Sequence, residues 1–192
     1  MNIEKIKNAN TKFLGENVVF YDEIGSTQDV IRELAEKHVE NGTVVITDNQ
    51  ISGKGTKGRI WSTEKSKNIT MSFVIYPKCE AEALEGLTVN IAKAIVEAIK
   101  ELYGYKLEIK VPNDVMLNGK KICGILTQCV TLEEKVNYIL IGIGFNVNQV
   151  QFNKEISNIA TSLKAEYNKE FKREDIIAKI LEKLENKIAD II

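Results

Sequence analysis

Residues 53–61 read Gly-Lys-Gly-Thr-Lys-Gly-Arg-Ile-Trp, and the reading of this stretch decides the fold. Gly53, Gly55 and Gly58 spell the G-x-G-x-x-G of dinucleotide-binding folds, which requires a strand before the loop, a helix after it and an acid further on. The residues that follow, Ile69 to Tyr76, are rich in β-branched and aromatic types. They predict a strand, so the doubly wound reading fails. A Walker A loop closes on Gly-Lys-Ser/Thr, whereas here Gly58 is followed by Arg59. What is left is a cationic glycine loop. Lys54, Lys57 and Arg59 alternate with residues that let backbone amides approach a ligand closely, and the chain's single tryptophan, Trp61, ends the stretch. Such a loop suits a polyphosphate or acyl phosphate carrying a base. Taken alone, it also fits a solvated basic surface loop.

Upstream, Val44 to Thr47 predicts a strand that runs through Asp48-Asn49-Gln50 into the loop. Before it come a short helix or arm over Ile3–Lys12, a strand over Val18–Tyr21, and a helix with Val30, Ile31, Leu34 and Ala35 on one face. Ser26 and Asp29 have the spacing of a capping box, and Asn41-Gly42 is the expected stop. Free amides at that helix start could also meet a polar ligand. His38, the only histidine, has no partner nearby and reads as a surface residue, which argues against a hydrolase triad.

Downstream, the apolar spacing of Leu84, Leu87, Ile91, Ile95 and Ile99 predicts a core-facing helix over Ala83–Leu102, then a strand over Leu107–Val111. Pro112 biases Val111 to extended geometry, and Asn113-Asp114 favour a turn. Asn118-Gly119 is a two-residue hairpin signal that turns the chain back, bringing Lys120 and Lys121 toward Lys110–Asp114. Gly124 interrupts an apolar strand, which points to close approach by a ligand. Val136–Phe145 predicts another strand whose Gly142 and Gly144 thin one face. A polar connection over Gln149–Asn158 leads to a last helix over Lys172–Ile188, with its seam on Ile176, Ile177, Ile180, Leu181, Leu184 and Ile188.

The 192 residues are 44% hydrophobic and 28% charged, enough to bury the core of one domain over 1–192. A net charge of −1 leaves no bulk field for nucleic acid, so any anion must be held by local cationic loops. No apolar run reaches the roughly 20 residues of a membrane span. Cys79, Cys123 and Cys129 are odd in number and widely spaced, which indicates neither a disulfide framework nor a zinc site. A reduced, cytoplasmic protein is expected, with no nucleic-acid or membrane partner.

Together, Gly53–Trp61, Lys110-Val-Pro-Asn-Asp114 and Gly119-Lys-Lys-Ile-Cys-Gly-Ile-Leu126 resemble the biotin protein ligase family. Ser26-Thr27-Gln28, Gln50, Gly142-Ile-Gly-Phe-Asn-Val-Asn148 and Ile159–Leu163 match further family positions in order. The resemblance implies an α+β fold, a mixed sheet packed by helices, which agrees with the elements read above. It implies a catalytic domain that joins biotin to ATP, with Mg²⁺ carried by the ATP and no protein metal site. The biotinyl-adenylate formed would then pass its acyl group to a lysine of a biotin carboxyl carrier domain. It implies Lys121 bridging carboxylate and α-phosphate, with Arg59, Lys54, Lys57 and Gly58 at the phosphates. Trp61, Asn113 and Asn146 would lie at the adenylate. Ser26, Thr27, Gln28, Gln50, Gly53, Lys54, Gly55, Thr56, Gly124, Ile125 and Leu126 would lie at biotin. Asp114 would orient or deprotonate the incoming amine, paired with Lys110.

Three departures stand out. Thr56 occupies a place that is usually basic, which implies weaker retention of the adenylate and promiscuous labelling of lysines. Val111 replaces a usual tryptophan, implying altered packing beneath the site. The chain stops after its last helix, where the family carries a small β-domain, and its first twenty or so residues are too few for a winged helix, which argues against a repressor function. Family members often pair through their sheets, so monomer and homodimer both stay open. Two other readings stay open as well: a lipoate-type ligase, and a non-catalytic biotin or adenylate binder.

Overall fold

The computed structural model describes residues 1–132 and 135–192. Its centre is a seven-stranded sheet of order β1-β2-β3-β7-β6-β5-β4. The strands are β1 Val18–Ile24, β2 Val44–Gln50, β3 Ile69–Ile75, β4 Glu108–Lys110, β5 Asp114–Leu117, β6 Lys120–Leu132 and β7 Lys135–Phe145. The pair β1–β2 is parallel and every other pair antiparallel, so the sheet is mixed, as expected. Parallel neighbours need a crossover, and helix α2 (Thr27–Glu36) supplies it.

The period-two alternation of the strands separates the two faces. Ile69, Met71, Phe73 and Ile75 of β3, with Ile139, Ile141, Ile143 and Phe145 of β7, point to the larger core. There they meet α1 (Ile3–Lys7), α3 (Leu87–Tyr103) and α5 (Arg173–Ile188). On the other face α2 packs Ile31 and Ala35 on Val45, Val74 and Leu140. Beyond the N-terminus of α2 no helix among the described residues covers that face, and the residues there are small: Thr70 and Ser72 of β3, Gly142 and Gly144 of β7, Gly124 of β6. Register sets Thr70 opposite Gly144, Ser72 opposite Gly142, and Gly144 opposite Gly124. The period of two that fills one core with isoleucine thus leaves a bare floor on the reverse side.

Several boundaries differ from expectation. Ser26 caps α2 through the Gln28 amide (3.3 Å), not the Asp29 amide, and Asp29 takes Lys54 Nζ instead at 2.5 Å. No reciprocal capping box forms, because a loop cation competes for the carboxylate. The chain leaves α2 at His38, just past the last helical residue Glu36, and not at Asn41-Gly42. His38 has φ 55°, and the amides of His38 and Val39 bond back to Ala35 O and Leu34 O, the six-residue closure usually built on glycine. The sole histidine is therefore a helix terminator. Helix α3 starts at Leu87, after a 3-10 turn over Ala81–Leu84. The hairpin joining β5 to β6 turns on Asn118 (φ 51°) and Gly119 (φ 76°), the paired left-handed geometry its Asn-Gly predicts. A short helix α4 (Leu163–Tyr167), not foreseen, follows the polar connection. No helix among the described residues is long and apolar enough to cross a membrane.

Candidate functional site

Over the glycine floor lies a cavity of about 640 Å³. Its closed end is formed by the start of α2, the end of β2 and the middle of β3. Thr27 and Gln28 there are 4% exposed, and Ser26 2%. Gln50 Oε1 accepts the Thr27 backbone N–H at 2.8 Å, and Thr27 Oγ1 lies 2.8 Å from Ser72 Oγ. Ser72 Oγ donates to Gln28 Oε1 at 2.9 Å, while Gln28 Nε2 donates to Gln128 Oε1 at 3.0 Å. Burying so many polar groups costs several kcal/mol unless each is bonded. A buried hydrogen-bonding wall beside a cavity is thus built to meet a polar ligand.

Trp61 sits on the floor itself. A Cβ at Gly144 would lie 2.3 Å from its Cε2, and one at Gly124 3.0 Å from its Cζ3. Only glycine admits the ring at this depth. The indole Nε1 is buried and finds no partner among the described residues. Lys121 Nζ lies 5.6 Å from the ring centre and 2.6 Å from Asp114 Oδ1. That ion pair, between β5 and β6, corrects the expected pairing of Asp114 with Lys110. Lys110 lies opposite Asp114 on β4 and lines the mouth, but the Lys121 ammonium reaches the carboxylate first. Among the described residues Asp114 Oδ1 has no well-aligned hydrogen bond besides, so the lysine charge is what compensates it.

The loop over 53–61 is roofed onto this cavity by its own contacts. Lys54 is held by Asp29 (2.5 Å), Gly55 N by Arg59 O (2.8 Å), and Trp61 N by Gly53 O (2.9 Å). Arg59 folds back on Thr56, donating from Nε to Thr56 O at 3.2 Å and from Nη2 to Thr56 Oγ1 at 2.7 Å. Arg59 and Lys121, from segments far apart in the chain, thus line one cavity.

Of the residues singled out in sequence, Ser26, Thr27, Gln28, Gln50, Lys54, Gly55, Thr56, Arg59, Trp61, Lys110, Asn113, Asp114, Lys121, Gly124, Ile125, Leu126 and Asn146 line it. Gly53 lies under the loop, where a Cβ would meet Trp61 O at 2.3 Å. Lys57 and Gly58 form the exposed left-handed turn of the loop, at φ 57° and 73°, outside the lining. Ile125 presents only backbone, because its side chain is 2% exposed in the opposite core. Asn146 commits its amide to Thr161 O at 3.0 Å. Val111 is 69% exposed, so little of its side chain is packed against the site. Cys123, under the floor, is a fully buried core thiol whose burial pushes its pKa far up, leaving it neutral and unreactive.

Unforeseen were Ser72, Gln128 and the 152–158 stretch, whose Phe152, Asn153 and Ile156 wall the open side together with Ile159 and Ala160 of the matched motif. That wall is strapped to Lys121 by its main chain, Lys121 N to Ile159 O at 2.7 Å and Thr161 N to Lys121 O at 2.9 Å. The bridge between Lys121 and Ala160 is parallel and had no periodic signal in sequence.

A cationic glycine flap, a lysine–aspartate pair and a buried polar end thus surround one cavity. A sequence profile of the biotin/lipoate A/B protein ligase family matches residues 21–146. The chain belongs to that family. Among its members, the bifunctional ligase/repressor BirA of Bacillus subtilis is 36% identical over 182 residues, covering 94% of this chain and 56% of the relative. The biotin protein ligase of Aquifex aeolicus in complex with biotin and ATP superposes with a TM-score of 0.79 at 30% identity, over 91% of this chain and 71% of that one. The Leishmania major biotin protein ligase in complex with biotinyl-5-AMP gives 0.74 at 26%, over 88% and 72%. The chain thus spans little more than half the length of its Bacillus relative.

Proposed function

We propose that the chain is an ATP-dependent biotin protein ligase that forms biotinyl-5′-adenylate and transfers the biotinyl group to a protein lysine. The observation that carries this is the convergence of Arg59 and Lys121 on one cavity whose closed end is polar and buried. Two anions, a carboxylate and a triphosphate, must meet in the first step. The dominant requirement is positive charge already in place where negative charge develops.

In that step a biotin carboxylate oxygen attacks the α-phosphorus of ATP, the bond to the bridging oxygen on the β-phosphate side breaks, and pyrophosphate leaves. Lys121 serves as a compact cation with three donors between carboxylate and α-phosphate. Arg59 and the Lys54-anchored flap lie over the phosphates, and Trp61 offers its indole face to the base. Among the described residues no group of three or more His, Cys, Asp and Glu side chains could hold a metal. Mg²⁺ on the triphosphate supplies further charge neutralisation.

In the second step an acceptor lysine amine attacks the acyl carbon, AMP leaves, and the amine loses a proton. Asp114 is the group to orient that amine or take its proton. The carrier domain of a biotin-dependent carboxylase is the acceptor this chemistry suits. The polar closed end favours a cyclic urea over the dithiolane of lipoate, which would leave buried groups unpaired.

Thr56 gives the flap one cation fewer than the family usually places there. A charge-assisted contact contributes about 1.5–3 kcal/mol, so its absence raises adenylate escape on the order of tenfold or more. The chain then labels lysines of unrelated proteins. Biotin-dependent ATP–pyrophosphate exchange tests the ligase reading, and its absence at saturating biotin overturns it.

A further inference from the structure

We infer that Arg32 and Gln128, which stand behind the cavity rather than in it, set the hydrogen-bonding polarity of its closed end and so make it select a ligand that presents N–H donors. The inference rests on biotin being that ligand. Arg32 lies one helical turn beyond Gln28, on the same side of α2, and its Nη2 donates to Gln128 Oε1 at 2.9 Å.

A guanidinium carries donors only, so the Gln128 atom facing it must be the carbonyl oxygen. The same oxygen lies 3.0 Å from Gln28, which must therefore turn its amide NH₂ that way. The Gln28 carbonyl oxygen is left pointing over Gly142, where a Cβ would lie 2.7 Å from it. That oxygen only accepts, so the single proton of Ser72 is committed to it across 2.9 Å. The 2.8 Å contact between Thr27 and Ser72 hydroxyls must then use the proton of Thr27. None remains for the 3.2 Å approach of Thr27 Oγ1 to Gln50 Oε1, and that oxygen is satisfied by the Thr27 backbone N–H at 2.8 Å.

One donor-only side chain thus fixes every proton along the row. Lone pairs of Thr27 Oγ1 and Gln28 Oε1 are the ones left over, and they are acceptors. With Thr27 and Gln28 4% exposed and Ser72 fully buried, water has little access to reverse the order. The two N–H groups of a cyclic urea answer such a wall, whereas a ligand without donors leaves it unpaired, the kind of mismatch that discriminates most strongly. Gly142 makes room for the Gln28 carbonyl and belongs to the same device. Without Arg32 or Gln128 the Gln28 carboxamide can turn over and present NH₂ to the cavity.

The test uses the whole chain with three variants, Arg32→Met, Gln128→Leu and Gln128→Glu, read by biotin titration calorimetry and by KM for biotin and for ATP. Expected is a loss of about tenfold in biotin affinity for Arg32→Met and Gln128→Leu, with KM for ATP and kcat within about twofold of the parent. Gln128→Glu, whose carboxylate is an acceptor by nature, should retain parental biotin affinity. The inference is overturned alone if the parent binds biotin and Gln128→Leu binds it as well, if Gln128→Glu is as poor as Gln128→Leu, or if biotin and ATP parameters fall together. A parent chain that releases no heat with biotin overturns the ligase reading, and this inference with it.

Discussion

Gly144→Ala offers the sharpest test of the site, because a single methyl group is asked to move the only tryptophan. The new Cβ would lie 2.3 Å from Cε2, 2.5 Å from Nε1 and 2.6 Å from Cζ2 of Trp61. Carbon atoms rest at about 3.5–4.0 Å, so the ring must retreat by more than about 1 Å. A Cβ built on Gly124 would likewise lie 3.0 Å from Cζ3, so the ring rests low over both glycines. The strand itself tolerates alanine: the flanking Ile143 and Phe145 point into the opposite core, and the hydrogen bonds of β7 to β3 and β6 involve backbone alone. Overpacking of this kind costs about 1–3 kcal/mol, here carried by the loop conformation that holds the nucleotide. The expected result is a rise of about 5- to 150-fold in KM for ATP, a red-shifted Trp61 emission, and a thermal midpoint close to the parent. Trp61 is the chain's single tryptophan, so its fluorescence reports this ring and no other. A Gly144→Ala protein with unchanged emission and a KM for ATP within about twofold of the parent would refute the picture of a ring seated on the floor. Gly142→Ala is the companion: its Cβ would meet Gln28 Oε1 at 2.7 Å, so KM for biotin should rise while Trp61 emission stays put.

Lys121→Ala should lower biotin-dependent pyrophosphate exchange about 10²–10³-fold, and Lys121→Arg should not restore it, since a planar fork does not replace a point charge; exchange at the parental rate in the alanine variant would remove Lys121 from the chemistry. Thr56→Arg should cut biotin labelling of an unrelated protein about tenfold, counted by avidin blot after incubation with biotin and ATP, and a parent chain without such labelling ends the leakage proposal. Arg173→Met leaves Asp48, its ion-pair partner at 2.7 Å, nearly buried and unpaired. It should therefore destabilise the chain by about 3–5 kcal/mol in urea unfolding, far more than Lys54→Met at the half-exposed Asp29 pair. Glu166 accepts from Thr161 and Asn118, which hold its carboxyl below the ordinary carboxylate range. A depressed folded pKa contributes stability that is present above the unfolded value and is lost as pH falls through the folded one, so acid unfolding between about pH 5 and 3 should be shallower in Glu166→Gln.

Near neighbours in sequence already determined much of this protein. Alternation along Ile139–Phe145 told which face is core, and with it that Gly142 and Gly144 share the other. Asn118-Gly119 carried its own left-handed hairpin, and the run Gly53–Trp61 its cationic flap. These are properties of period and local backbone freedom, which act within a few residues. The choice among competing long-range partners belonged to the folded chain. Asp29 met Lys54 rather than its own helix start, and Asp114 met Lys121 rather than Lys110. The stretch from Phe152 to Ala160 became a wall only through main-chain bonds to Lys121. The row from Arg32 to Gln50 joins α2, β2, β3 and β6, and the order of its protons follows from one guanidinium brought within 2.9 Å of a glutamine 96 residues away. Charge pairing and hydrogen-bond direction depend on distance in space, and only the tertiary structure sets that distance.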